Sequence, residues 1–447
     1  MSLSIFLSKA WRPSGAVALL ALGACTNDIL NVQNPDVVKP GDLANAAGAQ
    51  AQRNGAIQDF TVAFSGTQDG FVMMTGNMAD ELQATDTFAD RQRPNERATD
   101  SNLGGAVDQF YRNLHLARAG LIRAAAAWQA AKPSSKDTLS ELYAIRGFTE
   151  NFFAEAYCSG VPFSADNGST TTFGEPQTTA QILARATASF DTALSNATLA
   201  NLRNVAAVGR ARTLLNLGQF AQAATAVAGV PTAFRYQVFH STSTARQNNG
   251  VWNGTYLNGS RYVVANNEGT NGYNFLSTPA DPRTPWTPTA RVGFDNTSRD
   301  LPRQEKYFTQ SSAATLADGI EARLIELEAR LQGGTQADRD ALFAGLNTLR
   351  ATAITPAMPA LAAAPTTQAA AVDQLFRERG AWLWLTGHRL GDMRRLVRQY
   401  ARPAASVFPV GPVILRPGVQ YGTDVNFVIP FDETNNPKFK ACIDRNA

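Results

Sequence analysis

The chain has 447 residues, which is enough for one large domain or two ordinary ones with a sizeable buried core. Its formal net charge is only +3, and its basic residues are scattered among acidic ones. That pattern argues against a dedicated nucleic-acid binder, because such proteins need a clustered basic face. The three histidines, His115, His240 and His388, lie far apart without the spacing of a zinc motif, so we expect neither a metal site nor a cofactor.

The N-terminus has the features of a secretory signal. Lys9 and Arg12 form a basic region, and residues 15–22 form a short apolar run that is too short to span a bilayer as a mature helix. We therefore predict that residues 1–24 are a signal peptide.

The apolar run ends in "LGAC", residues 22–25, which resembles a lipobox, where small residues precede a cysteine that receives lipid on its sulfur. This motif predicts a lipoprotein, with lipid attached to Cys25 and an extended tether over residues 25–42 that is rich in Asn, Asp and Pro. Each acyl CH₂ buried in a bilayer contributes about 0.8 kcal/mol, so acyl chains would anchor the mature domain, residues 43–447. The alternative is an ordinary signal peptide with an incidental cysteine.

Two further cysteines, Cys158 and Cys442, remain once Cys25 is lipidated. An exported protein meets oxidising conditions, and a single pair of cysteines leaves only one possible disulfide. We favour that bridge. The alternative is two buried thiols that behave as small apolar side chains.

Helical periodicity dominates the chain after the tether, because apolar residues recur at i, i+3, i+4 and i+7 with many Ala and Leu. The predicted fold class is therefore mainly α, in a single α-rich domain. The predicted helices cover residues 41–56, 104–131, 138–157, 177–196, 204–217, 220–228, 313–332, 337–351 and 367–400.

One pair of these helices, within residues 208–231, has the pattern of a tetratricopeptide-like helical hairpin. A turn at Leu217 and Gly218 separates two short helices, and the second carries Ala223 and Ala226, whose small side chains allow close packing. The chain has no strict 34-residue period, so such hairpins need not form a long solenoid.

Residues 232–310 differ from the rest of the chain. Asn, Gly, Thr, Pro and aromatic residues replace Ala and Leu, and helical periodicity disappears. The stretch is too long to be an ordinary connection, and long loops on a rigid scaffold usually bind something. We therefore predict a loop-rich insert that carries a ligand site.

Several segments, taken in order, resemble the SusD/RagB-like family of outer-membrane nutrient-binding lipoproteins. Residues 375–396, "LFRERGAWLWLTGHRLGDMRRL", are similar to the family's "ER…EG.RW.DLRR" helix. Further similarities follow the family's order and, with the lipobox, cover nearly the whole chain. They are "ADEL" at 79–82, "YAIRGFTENFFAEAYCSGVPFS" at 143–164, "DPR" at 281–283, "EARLIELEARL…LNTLRA" at 321–351 and "FVIPFDETNNP" at 427–437.

The 375–396 segment could itself be a core helix, a catalytic strip or a nucleic-acid arm. On a helical wheel, Phe376, Leu383 and Leu390 share one face with Arg379 and Arg394. A buried guanidinium requires a carboxylate or carbonyl partner, and the acids of residues 318–328 are candidates. We therefore predict a core helix.

The same wheel makes three finer predictions. Trp382 falls on the buried flank and Trp384 well away from it, and Gly387 would let a neighbouring helix come close. Thr386 stands where the family usually has Glu, so a family ion-pair network would lack one acid here.

The resemblance implies a single α-rich domain in which tetratricopeptide-like hairpins support an irregular, loop-rich ligand-binding region. It also implies a function: capture of oligosaccharides or other nutrients at the cell surface, and delivery to a SusC-like TonB-dependent outer-membrane transporter, without turnover. Two alternatives stay open. One is a helical-repeat scaffold that binds a protein partner. The other is an α-helical glycoside hydrolase that uses Asp80, Glu81 and Asp86, which would need carboxylates about 5 to 9.5 Å apart across a cleft.

Candidate ligand-binding residues are chosen by region. Sugars stack on aromatic rings and bond planar polar groups, and the insert holds both; the family also uses the segment after its early Asp-Glu pair. Some of the rings could instead anchor the loop to the scaffold. The candidates are Trp252, Tyr256, Tyr262, Tyr273, Arg283 and Trp286 in the insert, and Asp86, Phe88, Arg91 and Asn95 after residues 79–82.

Overall fold

A computed structural model gives the fold, and the predicted signal peptide, the lipid attachment at Cys25 and the tether lie outside the residues that it describes. The described residues are 45–132, 134–166, 170–257, 260–269 and 272–447.

Helices make up most of the described chain, which confirms the mainly α fold class. They are α1 Ala46–Thr61, α2 Phe71–Met78, α3 Ala89–Asn95, α4 Gly105–Ala131, α5 Lys136–Ala156, α6 Thr179–Asn196, α7 Ala200–Asn216, α8 Phe220–Val227, α9 Gly250–Trp252, α10 Gly319–Leu331, α11 Gln336–Thr352, α12 Gln368–Trp382, α13 Arg389–Tyr400 and α14 Ala404–Val407.

Short strands form two-stranded antiparallel ribbons that pair β1 with β7, β2 with β5, β3 with β4, β6 with β10 and β8 with β9. The β1–β7 and β6–β10 ribbons tie residues 232–310 to the rest of the molecule, whereas β8 and β9 pair within the insert. The strands are β1 Leu82–Ala84, β2 Val161–Pro162, β3 Ala165–Asp166, β4 Thr171–Thr172, β5 Pro176–Gln177, β6 Arg235–Val238, β7 Tyr262–Val264, β8 Trp286–Pro288, β9 Pro302–Gln304 and β10 Ala314–Asp318.

The helices pack as successive neighbours: α1 with α4, α4 with α5, α5 with α6, α6 with α7, α7 with α8, and α8 with α10. Small residues allow this closeness. A Cβ added at Gly209 of α7 would lie 2.3 Å from the Phe190 ring of α6. The α7–α8 hairpin turns at Gly218, whose φ of +73° is a left-handed conformation that suits glycine, and Ala223 is fully buried. The predicted hairpin is confirmed.

A stack of phenylalanine rings fills the junction of α1, α2 and α5. The ring centroids of Phe71 and Phe152 are 3.9 Å apart, and those of Phe64 and Phe152 are 5.5 Å apart. α2 is buried on every side, so it lacks the one-sided apolar pattern that reveals an amphipathic helix. That burial explains why the sequence did not predict it.

The predicted helix over 367–400 is wrong as a single element. α12 ends at Trp382 and α13 begins at Arg389, and the turn between them includes Gly387 at a φ of +75°. This turn resets the phase of the helical wheel. Trp384 lies after the end of α12, where the wheel no longer applies, and it is fully buried. Trp382, the last residue of α12, is only half-buried, so both predictions are reversed.

The predicted helix over 313–332 is correct only in its second part. Residues 314–318 form β10, which pairs with β6, and α10 starts after them. The side chain of Asp318 accepts a hydrogen bond from the backbone N–H of Glu321, which is a helix N-cap.

A disulfide joins Cys158, just after α5, to Cys442 near the C-terminus, with Cα atoms 5.9 Å apart and a sequence separation of 284. Backbone pairing of Ser159 with Asp444, and of Tyr157 with Phe427, supports the same junction. The C-terminal tail is therefore fastened to the end of a central helix.

Candidate functional site

The "ER…D.RR" residues of α12 and α13 form a buried ion network. Arg379 Nε donates to Asp392 Oδ2 at 2.8 Å, and Arg395 Nη2 donates to Asp392 Oδ1 at 2.9 Å. Arg395 also pairs with Glu328 of α10. Burial raises the pKa of Asp392, but Arg379 and Arg395 outweigh it and hold that pKa well below its ordinary value. The segment is core, as predicted.

Arg394 finds carbonyl partners in place of carboxylates. Its Nη1 donates to the carbonyls of Ala154 at 2.8 Å and Glu155 at 2.7 Å, which lie at the C-terminal end of α5. A cation there satisfies carbonyls that have no partner within the helix. Burial, followed by the nearby Arg398, lowers the pKa of Arg394 to about 9.

Other ion pairs fasten the loop-rich insert to the helices. Arg283 of the "DPR" motif donates to both carboxylate oxygens of Asp281. It also donates to Glu378 Oε2 of α12 at 2.6 Å. The other oxygen of that carboxylate, Glu378 Oε1, accepts from Arg350 of α11 at 2.8 Å. Arg283 is buried with its donors occupied. The guanidinium therefore holds the loop in place, and a role for Arg283 as a ligand contact stays a prediction.

Two rings of the insert, Trp252 and Tyr256, lie nearly parallel at 14° with centroids 6.2 Å apart, and both are half-buried. The guanidinium of Arg303 on β9 lies 4.2 Å from the Tyr256 centroid, and the Tyr256 hydroxyl donates to Glu305. Burial and this bond raise the pKa of Tyr256, which keeps the hydroxyl neutral. The two ring planes are therefore nearly parallel, and the Arg303 guanidinium lies over the Tyr256 ring.

A second aromatic cluster surrounds Arg261. Its guanidinium lies 3.6 Å from the Phe294 centroid and 5.5 Å from that of Phe88, and the two rings are 6.1 Å apart. An ion pair with Asp86 holds Arg261 in place. The Phe88 side chain is 51% exposed, so part of this ring is open to solvent.

The two clusters flank one segment of the insert. Tyr256 and Arg261 are five residues apart, a span of at most about 18 Å even in a fully extended chain. Arg291 donates to the Thr255 carbonyl, so the segments that carry the two clusters are joined directly. We call this combined region the aromatic surface, and it consists of Phe88, Trp252, Tyr256, Arg261, Phe294 and Arg303.

Four other predicted site residues lie in the interior. Tyr262 is fully buried on β7, and Asp86 and Asn95 are almost fully buried. Asn95 Oδ1 accepts from the Ala84 N–H, and Arg91 makes a two-bond pair with Asp69 at 2.9 and 2.7 Å. Their side chains hold the loop after β1 in shape. The expectation that they face a ligand does not fit this burial.

The remaining two rings brace the insert. Tyr273 donates its hydroxyl to Asp281 Oδ2 at 2.8 Å and packs edge-on against Phe275. Trp286 donates from Nε1 to the Ser277 carbonyl at 3.2 Å and packs against the hydrophobic core. Both are half-buried, and their polar atoms are bonded within the loop.

The carboxylates considered for hydrolysis are committed to structural contacts. Asp80 accepts from the Asn267 N–H, Glu81 Oε1 accepts from the Leu385 N–H at 2.8 Å, and Asp86 pairs with Arg261. All three are buried. Burial raises the pKa of Glu81 to about 8, so this group is neutral over much of the ordinary pH range.

Sequence reasoning missed three members of the aromatic surface: Arg261, Phe294 and Arg303. A search of the insert for all ring types, and not only Trp and Tyr, would have included Phe294. The two arginines carry no local signal, because each becomes notable only when folding places it over a ring.

Over the described ranges, no group of three or more His, Cys, Asp or Glu side chains could hold a metal ion. Within the same ranges, no helix is long and apolar enough to cross a bilayer.

No protein-family model and no curated protein matches the sequence. Solved structures do match. A SusD superfamily protein from Bacteroides fragilis is 13% identical, with a TM-score of 0.64 over 89% of this chain and 99% of its own. One from Bacteroides thetaiotaomicron VPI-5482 gives the same values. A laminarin-binding SusD-like protein is also 13% identical, with a TM-score of 0.56 over 89% and 99% of the two chains. The chain has the fold of these proteins, which confirms the fold expected from the resemblance.

Proposed function

We propose that this chain, which has the SusD-superfamily fold, binds oligosaccharides or a related nutrient on its aromatic surface and does not turn them over. The observation that carries the proposal is the Trp252–Tyr256 pair, whose half-exposed and nearly parallel rings lie beside Arg303. The match to a structure described as laminarin-binding supports a glycan as the ligand class.

The chemistry of the aromatic surface suits a sugar. Pyranose rings have apolar C–H faces that stack on aromatic rings, and their hydroxyls bond planar polar groups. Trp252 and Phe88 offer ring area, while Arg303 and Glu305 are charged groups within reach of hydroxyls. Two clusters on one segment would suit a ligand longer than one sugar ring.

The proposal excludes turnover on the basis of Asp80, Glu81 and Asp86. A glycosidase needs one carboxylic acid and one carboxylate facing each other across an open cleft. These three are buried and bonded to backbone N–H groups or to arginine. Incubation with a glycan panel should yield no new reducing ends, and their appearance would favour the hydrolase alternative.

The cellular setting completes the proposal. We propose that lipid on Cys25 anchors the protein to the outer membrane, where it delivers its ligand to a SusC-like TonB-dependent transporter. The lipobox and the family resemblance support this setting. Cys25→Ala should move the protein from the membrane fraction to the soluble fraction, and wild-type protein that is already soluble would contradict the anchor.

Isothermal titration against laminarin, starch and other polysaccharides tests the binding itself. Trp252→Ala should weaken binding of whichever glycan binds by about 1 to 3 kcal/mol, from the ring area that a sugar covers. Phe239→Ala is the matched control, because this ring is 76% exposed just after β6 and lies outside the aromatic surface. Equal losses in both variants, or unchanged binding in Trp252→Ala, would place the site elsewhere.

A further inference from the structure

Arg291 borders the aromatic surface and pairs with no carboxylate of the described chain. It is half-buried, and its Nη1 donates to the carbonyl of Thr255, next to Tyr256, at 3.4 Å. Its Nε and Nη2 donate to no described residue, and neither atom is shielded from solvent. One edge of this guanidinium is therefore open and free to donate.

The open edge is the one with which other arginines of this chain bind carboxylates. Nε and Nη2 lie on the same side of a guanidinium and match the two oxygens of a carboxylate. Buried arginines elsewhere in the described chain direct both atoms at one carboxylate: Arg91 at Asp69, Arg212 at Glu155, Arg283 at Asp281, Arg379 at Asp392 and Arg389 at Glu268. Arg291 presents the same two donors without the acceptor.

Carboxylates close to this edge already accept hydrogen bonds within the chain. Glu305 accepts from Arg303 with one oxygen and from the Tyr256 hydroxyl with the other. Both oxygens of Asp295, on the same loop as the open edge, accept from residues 297–298. An acceptor for the open edge can therefore come from a ligand.

A second positive charge acts on the same place. The guanidinium of Arg303 lies 4.2 Å from the Tyr256 centroid, and its charge reaches Arg291. Burial, followed by this repulsion, lowers the pKa of Arg291. A bound anion would offset the repulsion and stabilise the charged form of both arginines.

The rings beside Arg291 indicate which kind of anion fits. Trp252 and Tyr256 are half-buried and nearly parallel, and rings of this kind stack on the apolar C–H faces of sugars. A uronic acid carries such a face and a planar carboxylate on one ring. It therefore matches the aromatic pair and the open edge together.

We propose that the glycan that binds the aromatic surface contains uronic acids, and that Arg291 binds the carboxylate of one uronate ring. Nε and Nη2 of Arg291 donate to the two carboxylate oxygens while the sugar ring lies on the Trp252–Tyr256 pair. A neutral glycan would leave this edge to water. The inference rests on the proposed function and deepens it, because it names the class of glycan and a residue that selects it.

Isothermal titration of the mature protein with matched oligosaccharides tests the class. The probes are oligomers of galacturonate, glucuronate, mannuronate and guluronate, the methyl ester of each, laminarin oligosaccharides and a sulfated glycan. At least one uronate oligomer should bind, and its uncharged methyl ester should bind roughly tenfold or more weakly, because charge-assisted hydrogen bonds to arginine are lost.

Three results would overturn the inference. Equal affinity for acid and ester, or binding of neutral or sulfated glycans without any uronate, would refute the uronate while leaving the proposed glycan function intact. Failure of every glycan would refute both together.

Variants test the residue. Arg291→Gln should weaken uronate binding roughly tenfold or more and change ester binding far less, with a melting temperature close to that of the wild type because its bond to Thr255 is long. Arg123→Gln removes an exposed charge from α4 and should change neither ligand. Trp252→Ala should weaken both ligands, because both stack a sugar ring. Equal losses for acid and ester in Arg291→Gln, or a loss that Arg123→Gln shares, would overturn the role of Arg291.

Discussion

At the scale of single residues, buried charges in this molecule fall into two groups. Arg379, Asp392 and Arg395 satisfy one another, so their burial is compensated. Glu81 has one bonded oxygen, and its other oxygen has no hydrogen-bond partner in the described chain. Because a charged form without full solvation or pairing is unfavourable, Glu81 holds its proton instead.

The raised pKa of Glu81 predicts a pH dependence of stability. Burial lifts this pKa from 4.5 to about 8, so between those values the folded protein holds a proton that the unfolded chain has released. The free energy of unfolding should therefore fall as pH rises through this window, and level off above it. In Glu81→Gln, whose amide oxygen can still accept from Leu385, urea melts at a series of pH values should give a shallower fall. An identical slope in both proteins would contradict the shift.

Replacing each tryptophan of the insert with alanine should affect a different property, either thermal stability or glycan binding. Trp286→Ala should lower the melting temperature, because the ring packs against the core and its Nε1 bonds the Ser277 carbonyl. Trp252→Ala should leave the melting temperature nearly unchanged and weaken glycan binding. Trp384 is fully buried, and replacing a fully buried large ring with alanine usually lowers the free energy of unfolding by about 3 to 5 kcal/mol. Trp384→Ala therefore serves as the reference for the largest destabilisation. Thermal melts and titrations of the three variants provide both measurements.

Single residues also limit what the sequence could predict of the aromatic surface. Trp252, Tyr256 and Phe88 were expected from residue type and region, and the structure leaves all three partly accessible. Tyr262 belongs to the same chemical class, but pairing of β7 with β1 turns it inward. The direction of a ring in an irregular loop depends on contacts distant in sequence, which composition does not reveal.

At the scale of secondary-structure elements, helices with one apolar face were predictable and fully buried or broken ones were not. α4 and α6 match their predicted ranges closely because each has one polar face, and α5 also matches its range although residues 147–156 are buried on every side. The break between α12 and α13 has no strong local signal, because Gly387 alone is tolerated within many helices. The contact of Gly387 with Phe71 is a tertiary feature.

That break gives a matched pair of glycine substitutions. Gly387 and Gly218 have φ values of +75° and +73°, so alanine costs each about 1 to 2 kcal/mol of backbone strain. A Cβ at Gly387 would also lie 2.6 Å from the Phe71 ring, whereas nothing lies within 4 Å at Gly218. Gly387→Ala should therefore be the more destabilising in chemical denaturation. Equal effects would mean that Phe71 moves aside freely.

At the scale of the whole molecule, three of the motifs that resemble the SusD/RagB-like family, at 79–82, 281–283 and 375–396, lie where the helices meet the loop-rich insert. Arg283 of "DPR" reaches Glu378 of α12, and Arg389 of α13 reaches Glu268 of the insert. The residues of these motifs form the contacts between the helical scaffold and the loops. Because those contacts belong to the fold, the motifs allowed the fold to be predicted. They do not include the aromatic surface, and for that reason the ligand site could be assigned only by region.

The disulfide has a consequence for a chain that has been cut. Cys158 and Cys442 have a sequence separation of 284 and lie on either side of the loop-rich insert, so the insert lies entirely inside one covalent ring. A protease that cleaves once within the insert opens this ring but releases no fragment. Limited proteolysis should therefore leave a single band on a non-reducing gel and two bands after reduction, whereas Cys442→Ser should give two bands in both. A single cleavage that separates the reduced protein into two fragments would leave the two parts of the oxidised protein covalently joined. Its binding surface would remain attached to its N-terminal part.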